Sequence, residues 1–401
     1  MNKDLKLHHR QTNHFAMHSE NTKIPSPCFV LDEKLLRKNL TLINEVQKEA
    51  GCTIILALKA FSMYSAFPIV AEYLSGATAS SLHEVKLIND FMGCKAHTYI
   101  PAYVDAEFEE VLERSSHLTF NTLSQLNRFR SRVQQFNERN PQAPVSVGVR
   151  VNPQYSEVET DMYNPCVPGS RLGETRDKFT DTLPDGVEGL HFHTLCENGS
   201  ETLERTLAVL EERFGDLLHQ AKWLNMGGGH LMTREGYDLP RLIRVVKAIQ
   251  EKYNLEVILE PGSAIAWQTG TLVSTVLDVM DSQGIQVAIL DVSFAAHMPD
   301  TLEMPYKPRI QGAYQEPVLG KPTYRLGGMT CLAGDFMGDY SFEQELQVGE
   351  QLVFEDMIHY TMVKTTTFNG VNLPSIGMIQ TDGNFLLIRS FGYESYKDRL
   401  S

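Results

Sequence analysis

Four kinds of chemically capable residue stand at the ends of short apolar stretches in this sequence. Lys59 closes "IILALK", His193 follows "GLHF", Gly227, Gly228 and Gly229 follow "WLNM", and Glu260 ends "EVILE". A desolvated lysine gives up its proton and becomes an amine nucleophile toward carbonyl groups. Consecutive glycines expose backbone N–H groups that can cradle a phosphate. A carboxylate can keep a heterocyclic nitrogen protonated, and an imidazole can lie flat against the ring. Singly, each has a plainer explanation: a snorkelling lysine, a core histidine, a tight turn, a cap before Pro261-Gly262. Together they form a kit, and the cofactor that needs all four is pyridoxal 5′-phosphate.

The elements that must position these residues follow one pattern. An apolar strand, a polar or glycine-containing turn and an amphipathic stretch repeat from Thr53 to about Ile265. Candidate strands are "TIILALK", "GATASS", "AHTYIPA", "HLTFN", "VSVGVRVNP", "GLHFHT", "WLNMGGG" and "EVILEPG". Between them, stretches such as "SETLERTLAVLEERFGDLLHQA" place Leu203, Leu207, Leu210, Phe214 and Leu217 at helical spacing. About eight such units fit a (β/α)₈ TIM barrel, in which chemistry gathers at the C-terminal ends of the strands. A doubly wound open sheet is the alternative, since alternation alone does not separate the two. Reading off the strand ends adds Ser81, Asn121 and Arg150 to the four groups above. A long polar insertion, "NPQYSEVETDMYNPCVPGSRLGETRDKF", follows the fifth unit, where a loop of that length binds something or moves.

Beyond Ile265 the texture becomes strand-rich, with glycine and proline punctuation, and predicts a second β-barrel or β-sandwich domain. "SPCFVLDE" near the start is strand-like as well. The expected division is therefore a polar, disordered extension over 1–23, a barrel over 33–265, and a discontinuous β domain from 24–32 with 266–401.

Composition excludes several classes. No apolar run approaches the length of a membrane span, and the first residues lack a secretory core. The six cysteines form no C-x-x-C pair, pointing to a reducing, cytoplasmic setting without structural zinc. No metal site is expected; His8, His9, His14 and His18 are irregularly spaced in a polar segment. The formal net charge of −14 disfavours nucleic acid and anionic membranes and suits a cationic ligand.

With these motifs in order, the chain resembles the alanine-racemase-fold pyridoxal phosphate decarboxylases, the family of the ornithine, arginine and diaminopimelate enzymes. The resemblance runs from Pro25 onward, through "ALKA", "GLHFHTLCE", "MGGGH", "LEPGSAI", "GGMTCLAGD" and "FEDMIHYTMVKTTTFNG". It implies that Lys59 carries the cofactor aldehyde covalently, His193 stacks on the ring and Glu260 pairs with the ring nitrogen. Backbone N–H groups of Gly228, Gly229, Gly262 and Ser263, with the Tyr360 hydroxyl, would hold the phosphate. Arg150 and Glu84 would sit beneath the ring. Cys331, reaching in from a second subunit of an obligate homodimer, would reprotonate the substrate carbon. Two departures from the ornithine pattern stand out: Ser263 where arginine is usual after "EPG", and Leu332 where an acidic residue commonly follows the cysteine.

The resemblance is strongest to the branch acting on carboxylated polyamines, through "LDVSFAAHMPDTLEMPYKP", "HFHTLCE" and "GGMTCLAGDFMGDY". It implies carboxynorspermidine or carboxyspermidine as substrate. A cationic tail needs acidic partners, and Asp291, Asp300, Glu303 and Asp335, with His297, are the expected wall. Rival readings are a diaminopimelate or ornithine/arginine-type decarboxylase, a racemase (disfavoured by Cys331), and an inactive regulatory homologue, which would be expected to lose Lys59 or Cys331.

Overall fold

The computed structural model describes residues 24–401. The extension expected over 1–23, with its histidines, lies outside the described residues.

Strands β2 (Thr53–Ile54) and β3 (Leu56–Ala57) are halves of one apolar run, and every partner in their sheet is parallel. From β3 the sheet passes through β4 (Ala77–Ala79), β5 (Ala96–Tyr99), β6 (Ser115–Phe120), β7 (Ser146–Arg150), β8 (Gly189–His191), β9 (Trp223–Asn225) and β10 (Glu256–Leu259), and returns to β2. Ile55 makes the hand-over: its N–H donates to Leu259 O at 2.9 Å, and that of Leu56 to Gly76 O at 3.1 Å. The sheet thus closes into the expected barrel, and the open-sheet alternative falls away. Helices wrap it because each presents an apolar stripe. In Ser200–Leu218 the buried positions include Leu203, Leu207, Leu210, Phe214 and Leu217, one face at a 3.6-residue period. Caps fix their ends: Asp32 accepts from Leu35 N at 3.0 Å before the helix Glu33–Ala50, which stops at Gly51 with φ 65°.

The N-terminal end of the barrel is plugged by Trp223. Gly148, Gly189 and Trp223 share one register row. A β-carbon on Gly148 or Gly189 would come within 2.2 and 2.0 Å of the indole. The ring cannot retreat, because its Nε1 donates to Ser146 Oγ at 2.8 Å, and Ser146 Oγ donates to Glu188 at 2.6 Å. Stability is thereby concentrated at this end, leaving the opposite rim free for chemistry.

The second sheet is mixed. Strand β11 (Gly270–Ser282) is its spine, pairing with Ile285–Leu290, Gln351–Glu355 and the N-terminal strand β1 (Cys28–Asp32). β1 also runs parallel to Ser375–Ile379, so the first and last strands among the described residues lie in this sheet. The insertion after β7 is not loose: Glu174 bridges Val151, Gly173 N–H donates to Asn121 at 2.8 Å, and Arg205 forks onto Glu157 at 2.6 and 2.7 Å.

Gly189→Ala forces a methyl group into a pinned indole, and overpacking of this kind costs about 1–3 kcal/mol. Urea unfolding should show a lower midpoint with an unchanged slope. An unaltered midpoint would mean that Trp223 has room to move.

Candidate active site

Lys59 lies in the turn after β3, walled by protein but with its head open to the mouth of the barrel. Its Nζ stands 2.9 Å from Nε2 of His193, the residue two beyond β8. The other imidazole nitrogen, Nδ1, accepts the Gly228 N–H at 2.9 Å. A neutral imidazole carries one proton, and an Nδ1 that accepts leaves it on Nε2. Nε2–H can then donate only to an unprotonated amine. Electrostatics agree. Burial and then the Arg150 guanidinium lower the Lys59 pKa, outweighing Glu260, Cys196 and Glu84. Burial, then Lys59 and Arg150, hold His193 well below its usual range. Lys59 is thus a free amine fixed by a hydrogen bond, the form that attacks an aldehyde.

Glu260 closes β10 and is buried, with Oε1 accepting from Asn225 Nδ2 at 2.6 Å. Asn225 Oδ1 in turn accepts the Gly227 N–H at 2.8 Å, so one amide aligns the carboxylate and the glycine turn. Burial raises the Glu260 pKa, against the pull of Asn225, Lys59, Thr78 and Arg150. A carboxyl of raised proton affinity is suited to share a proton with a buried ring nitrogen. Beneath it His191 places Nε2 3.7 Å from Oε2, too long for a hydrogen bond; burial, then Arg150 and Lys59, keep it neutral.

The turn after β9 requires glycine. Gly227 and Gly229 have φ of 66° and 88°, and a β-carbon on Gly228 would lie 2.5 Å from Glu260 O. Gly262 packs equally tightly, since its β-carbon would meet Ala60 at 2.3 Å. Thr233 Oγ1 ties the two turns together by donating to Ala264 O at 2.6 Å. The sequence assigned four N–H groups to the phosphate, and one assignment changes: the N–H of Gly228 is engaged by His193. Those of Gly229, Gly262 and Ser263 have no acceptor among the described residues.

Arg150 Nη2 donates to His193 O at 3.0 Å and its guanidinium stacks 4.7 Å over Tyr99. It supports the histidine backbone and sets the local field. Glu84 accepts the Ser80 N–H at 2.6 Å and Ser81 caps Glu84 N, so this acid anchors the β4 turn within the field of Lys59. Tyr360 comes from the second sheet's connections to the same mouth; burial first, then Cys196, Glu197 and Tyr163, raise its pKa. Cys196 also acts on Lys59, which puts both on one rim.

The remaining candidates are not brought together with Lys59. Cys331 is exposed, its N–H donating to Asn369 at 2.7 Å. The acids of the expected tail-binding wall are mostly engaged within their own segments. Asp335 is buried, with Oδ1 on Ala295 N at 3.0 Å and Oδ2 on Thr330 N and Oγ1 at 3.1 and 2.5 Å. It braces the cysteine loop. Asp291 is engaged by Ser26, Ser274 and Thr275. Glu303 pairs with Lys364. His297 is buried with Nδ1 on Ser293 N at 3.1 Å, its pKa lowered to about 4 by burial. Asp300 Oδ2 accepts from Tyr306 and Thr361, both at 2.8 Å, and its buried Oδ1 has no partner among the described residues. Missed from the sequence were Asn225, His191, Tyr99, Cys196, Glu197 and Tyr163. Only His191 carried a readable signal, the alternation that puts it on the same strand face as His193.

The lowered Lys59 pKa gives a pH prediction. An amine whose pKa falls below the ordinary 10.5 becomes reactive at lower pH. Labelling of apoprotein by an aldehyde with borohydride trapping, mapped by mass spectrometry, should therefore reach half-maximum at Lys59 below that value. Surface lysines label near the ordinary value, and Lys59 behaving like them would contradict the neutral-amine assignment.

An amine, a carboxyl of raised proton affinity, an imidazole face and three free N–H groups fit pyridoxal 5′-phosphate. The sequence matches the family "Pyridoxal-dependent decarboxylase, C-terminal sheet domain" over residues 28–358. It is 49% identical to the carboxyaminopropylagmatine decarboxylase of Synechocystis, over 94% of this chain and 96% of that protein. It is 41% identical to the carboxynorspermidine/carboxyspermidine decarboxylase of Campylobacter jejuni, over 94% and 99%. The crystal structure of the Campylobacter jejuni carboxynorspermidine decarboxylase complexed with norspermidine superposes with a TM-score of 0.86 at 40% identity, covering 94% of this chain and all (100%) of that one. A barrel whose strand ends converge on Lys59, joined to a mixed sheet, and a match over most of its length together make this chain a member of the pyridoxal-dependent decarboxylase family.

Proposed function

We propose that this enzyme releases carbon dioxide from a carboxylated polyamine, carboxynorspermidine or carboxyspermidine, to give norspermidine or spermidine. The observation that carries the chemistry is Lys59 Nζ held 2.9 Å from His193 Nε2. Two relatives named for this substrate pair, at 41% and 35% identity, support the substrate. A second reading, decarboxylation of carboxyaminopropylagmatine, is favoured by the 49% identity to the Synechocystis enzyme. Both substrates are long, cationic and carboxylated, and the acidic chain suits either.

Bound pyridoxal phosphate supplies a protonated ring that accepts the electron pair of the breaking carbon–carboxylate bond. Lys59 would offer the amine that holds the aldehyde. Glu260 retains the proton on the ring nitrogen, an interaction that strengthens as negative charge develops. His193, fixed by Gly228 and Arg150, keeps the ring plane. Gly229, Gly262 and Ser263 N–H groups with the Tyr360 hydroxyl hold the phosphate. Cys331 Sγ returns a proton to the α-carbon.

Cys331 serves the site of a second copy in this reading, so the working form is a homodimer. Its support is the surface around the thiol, where Met329, Leu332 and Phe336 are 43%, 47% and 43% exposed. Apolar side chains gathered at a reactive group are suited to be covered. A cytoplasmic enzyme agrees with the free cysteines, and no helix among the described residues is long and apolar enough to cross a membrane.

Carbon dioxide release should be seen with one of the three carboxylated polyamines and be absent from Lys59→Ala. Diaminopimelate and ornithine should be poor substrates; preference for either would overturn the assignment. Cys331→Ala should lose roughly 10²–10⁴-fold in turnover, the scale of a positioned proton donor. Mixing inactive Lys59→Ala and Cys331→Ala chains should restore about a quarter of the activity if each site draws on both copies of a two-fold dimer. No recovery after confirmed subunit exchange would place both residues in one chain's site.

A further inference from the structure

The barrel mouth carries acids of two kinds. Asp300 is buried, and Asp356 is committed to His359 Nε2 at 3.2 Å and to the Gln268 N–H at 2.6 Å. Neither is exposed, although Asp300 Oδ1 is buried without a partner among the described residues. Glu197 differs in exposure and in its neighbours. It is exposed, four residues past His193, on the turn that leaves β8. Its φ of 54° is left-handed, as is that of Asp356 at 62°, a conformation that is costly for a residue with a β-carbon. Such strain persists where surrounding contacts enforce it, and it gathers at functional sites.

The enforcing contacts belong to the cofactor site itself. Cys196 N–H donates to Asn198 Oδ1 at 2.8 Å, and Asn198 N–H donates to Gly229 O at 3.2 Å. The turn bearing Glu197 is therefore stapled to the glycine cradle. Glu197 also faces the opposite wall, adding to the upward shifts of Tyr360 and of His359. Asp356, Asp300 and Glu197 all surround His359, and three carboxylates around one imidazole leave the rim net negative even when the ring is protonated. Of the three, only Glu197 is both open to solvent and next to a residue within the field of Lys59, namely Cys196.

We propose that Glu197 is the specificity-determining acid of this site, receiving a cationic nitrogen of the substrate tail beyond the reacting carbon. The assignment rests on the carboxylated-polyamine reading above. It moves tail recognition from the Asp335 region to the barrel rim, within one loop of His193. A short substrate without the distal ammonium gains nothing from it, so the residue selects for length and charge together.

The test uses pyridoxal phosphate-loaded enzyme and two inhibitors, norspermidine and the shorter 1,3-diaminopropane. Glu197→Gln should weaken norspermidine inhibition about tenfold or more, while diaminopropane changes less than twofold. The KM for the carboxylated substrate should rise in parallel, with kcat falling less than threefold. Glu197→Asn, which tolerates the left-handed backbone, should behave the same way, separating loss of charge from strain. Calorimetric binding of norspermidine supplies a readout independent of turnover. Wild-type enzyme that neither binds norspermidine nor decarboxylates a carboxylated polyamine sinks the underlying function. Wild-type binding that persists undiminished in both variants sinks Glu197 alone.

Discussion

The structure depends on one short chain of hydrogen bonds, from Gly228 N–H to His193 Nδ1 and from His193 Nε2 to Lys59 Nζ. Each link constrains the next. A backbone donor cannot change its role, so the imidazole has a single tautomer available while it is neutral. That tautomer presents a proton to the lysine and requires the lysine to be without one. A buried ammonium would otherwise demand a carboxylate at contact distance. Instead Glu260 is engaged by Asn225 and Glu84 by Ser80, and the nearest strong cation, Arg150, repels. The free amine follows from this geometry, and the barrel exists in this form to hold it.

The division of labour between the two sheets follows from rigidity. The barrel fixes the groups that must hold a planar cofactor within tenths of an ångström, and it does so with glycine turns that admit no side chain and with Asn225, which aligns two elements at once. The second sheet contributes groups carried on short connections: Tyr360, Cys331 and the loop braced by Asp335. Its acids of low exposure are organisers. Asp335 closes the cysteine loop, Asp291 joins Ser26 to Ser274, and Asp300 holds Thr361 beside Tyr360. Acids buried this way are hydrogen-bonded because an unpaired one is too costly.

Much of this was legible in the sequence. Apolar strands ending in Lys59, Arg150 and Glu260 marked both the barrel and its working rim, because strand period and burial are written in residue type. Residue type does not disclose which lone pairs and N–H groups are already engaged. Gly228 was readable as a cradle residue, yet its N–H supports His193. Asp335 and Asp291 were readable as acids near the right segments, yet their oxygens face their own loops. Glu197 was passed over for the opposite reason: a glutamate in a polar turn looks ordinary until its left-handed backbone and its neighbours across the mouth are known.

Ser263, where the ornithine pattern has arginine, fits the same economy of charge. A fixed cation at the phosphate would add to Arg150 in lowering the lysine pKa and would repel a polycationic substrate near the mouth. Three unengaged N–H groups can hold the phosphate with partial charges that fall off faster than a full one. The rim then stays net negative through Glu197, Asp300 and Asp356, while the floor presents an amine and imidazoles whose pKa values burial and Arg150 lower. A long cationic substrate entering such a site is attracted at the rim and meets no opposing ammonium at the base, a gradient that an arginine at position 263 would flatten.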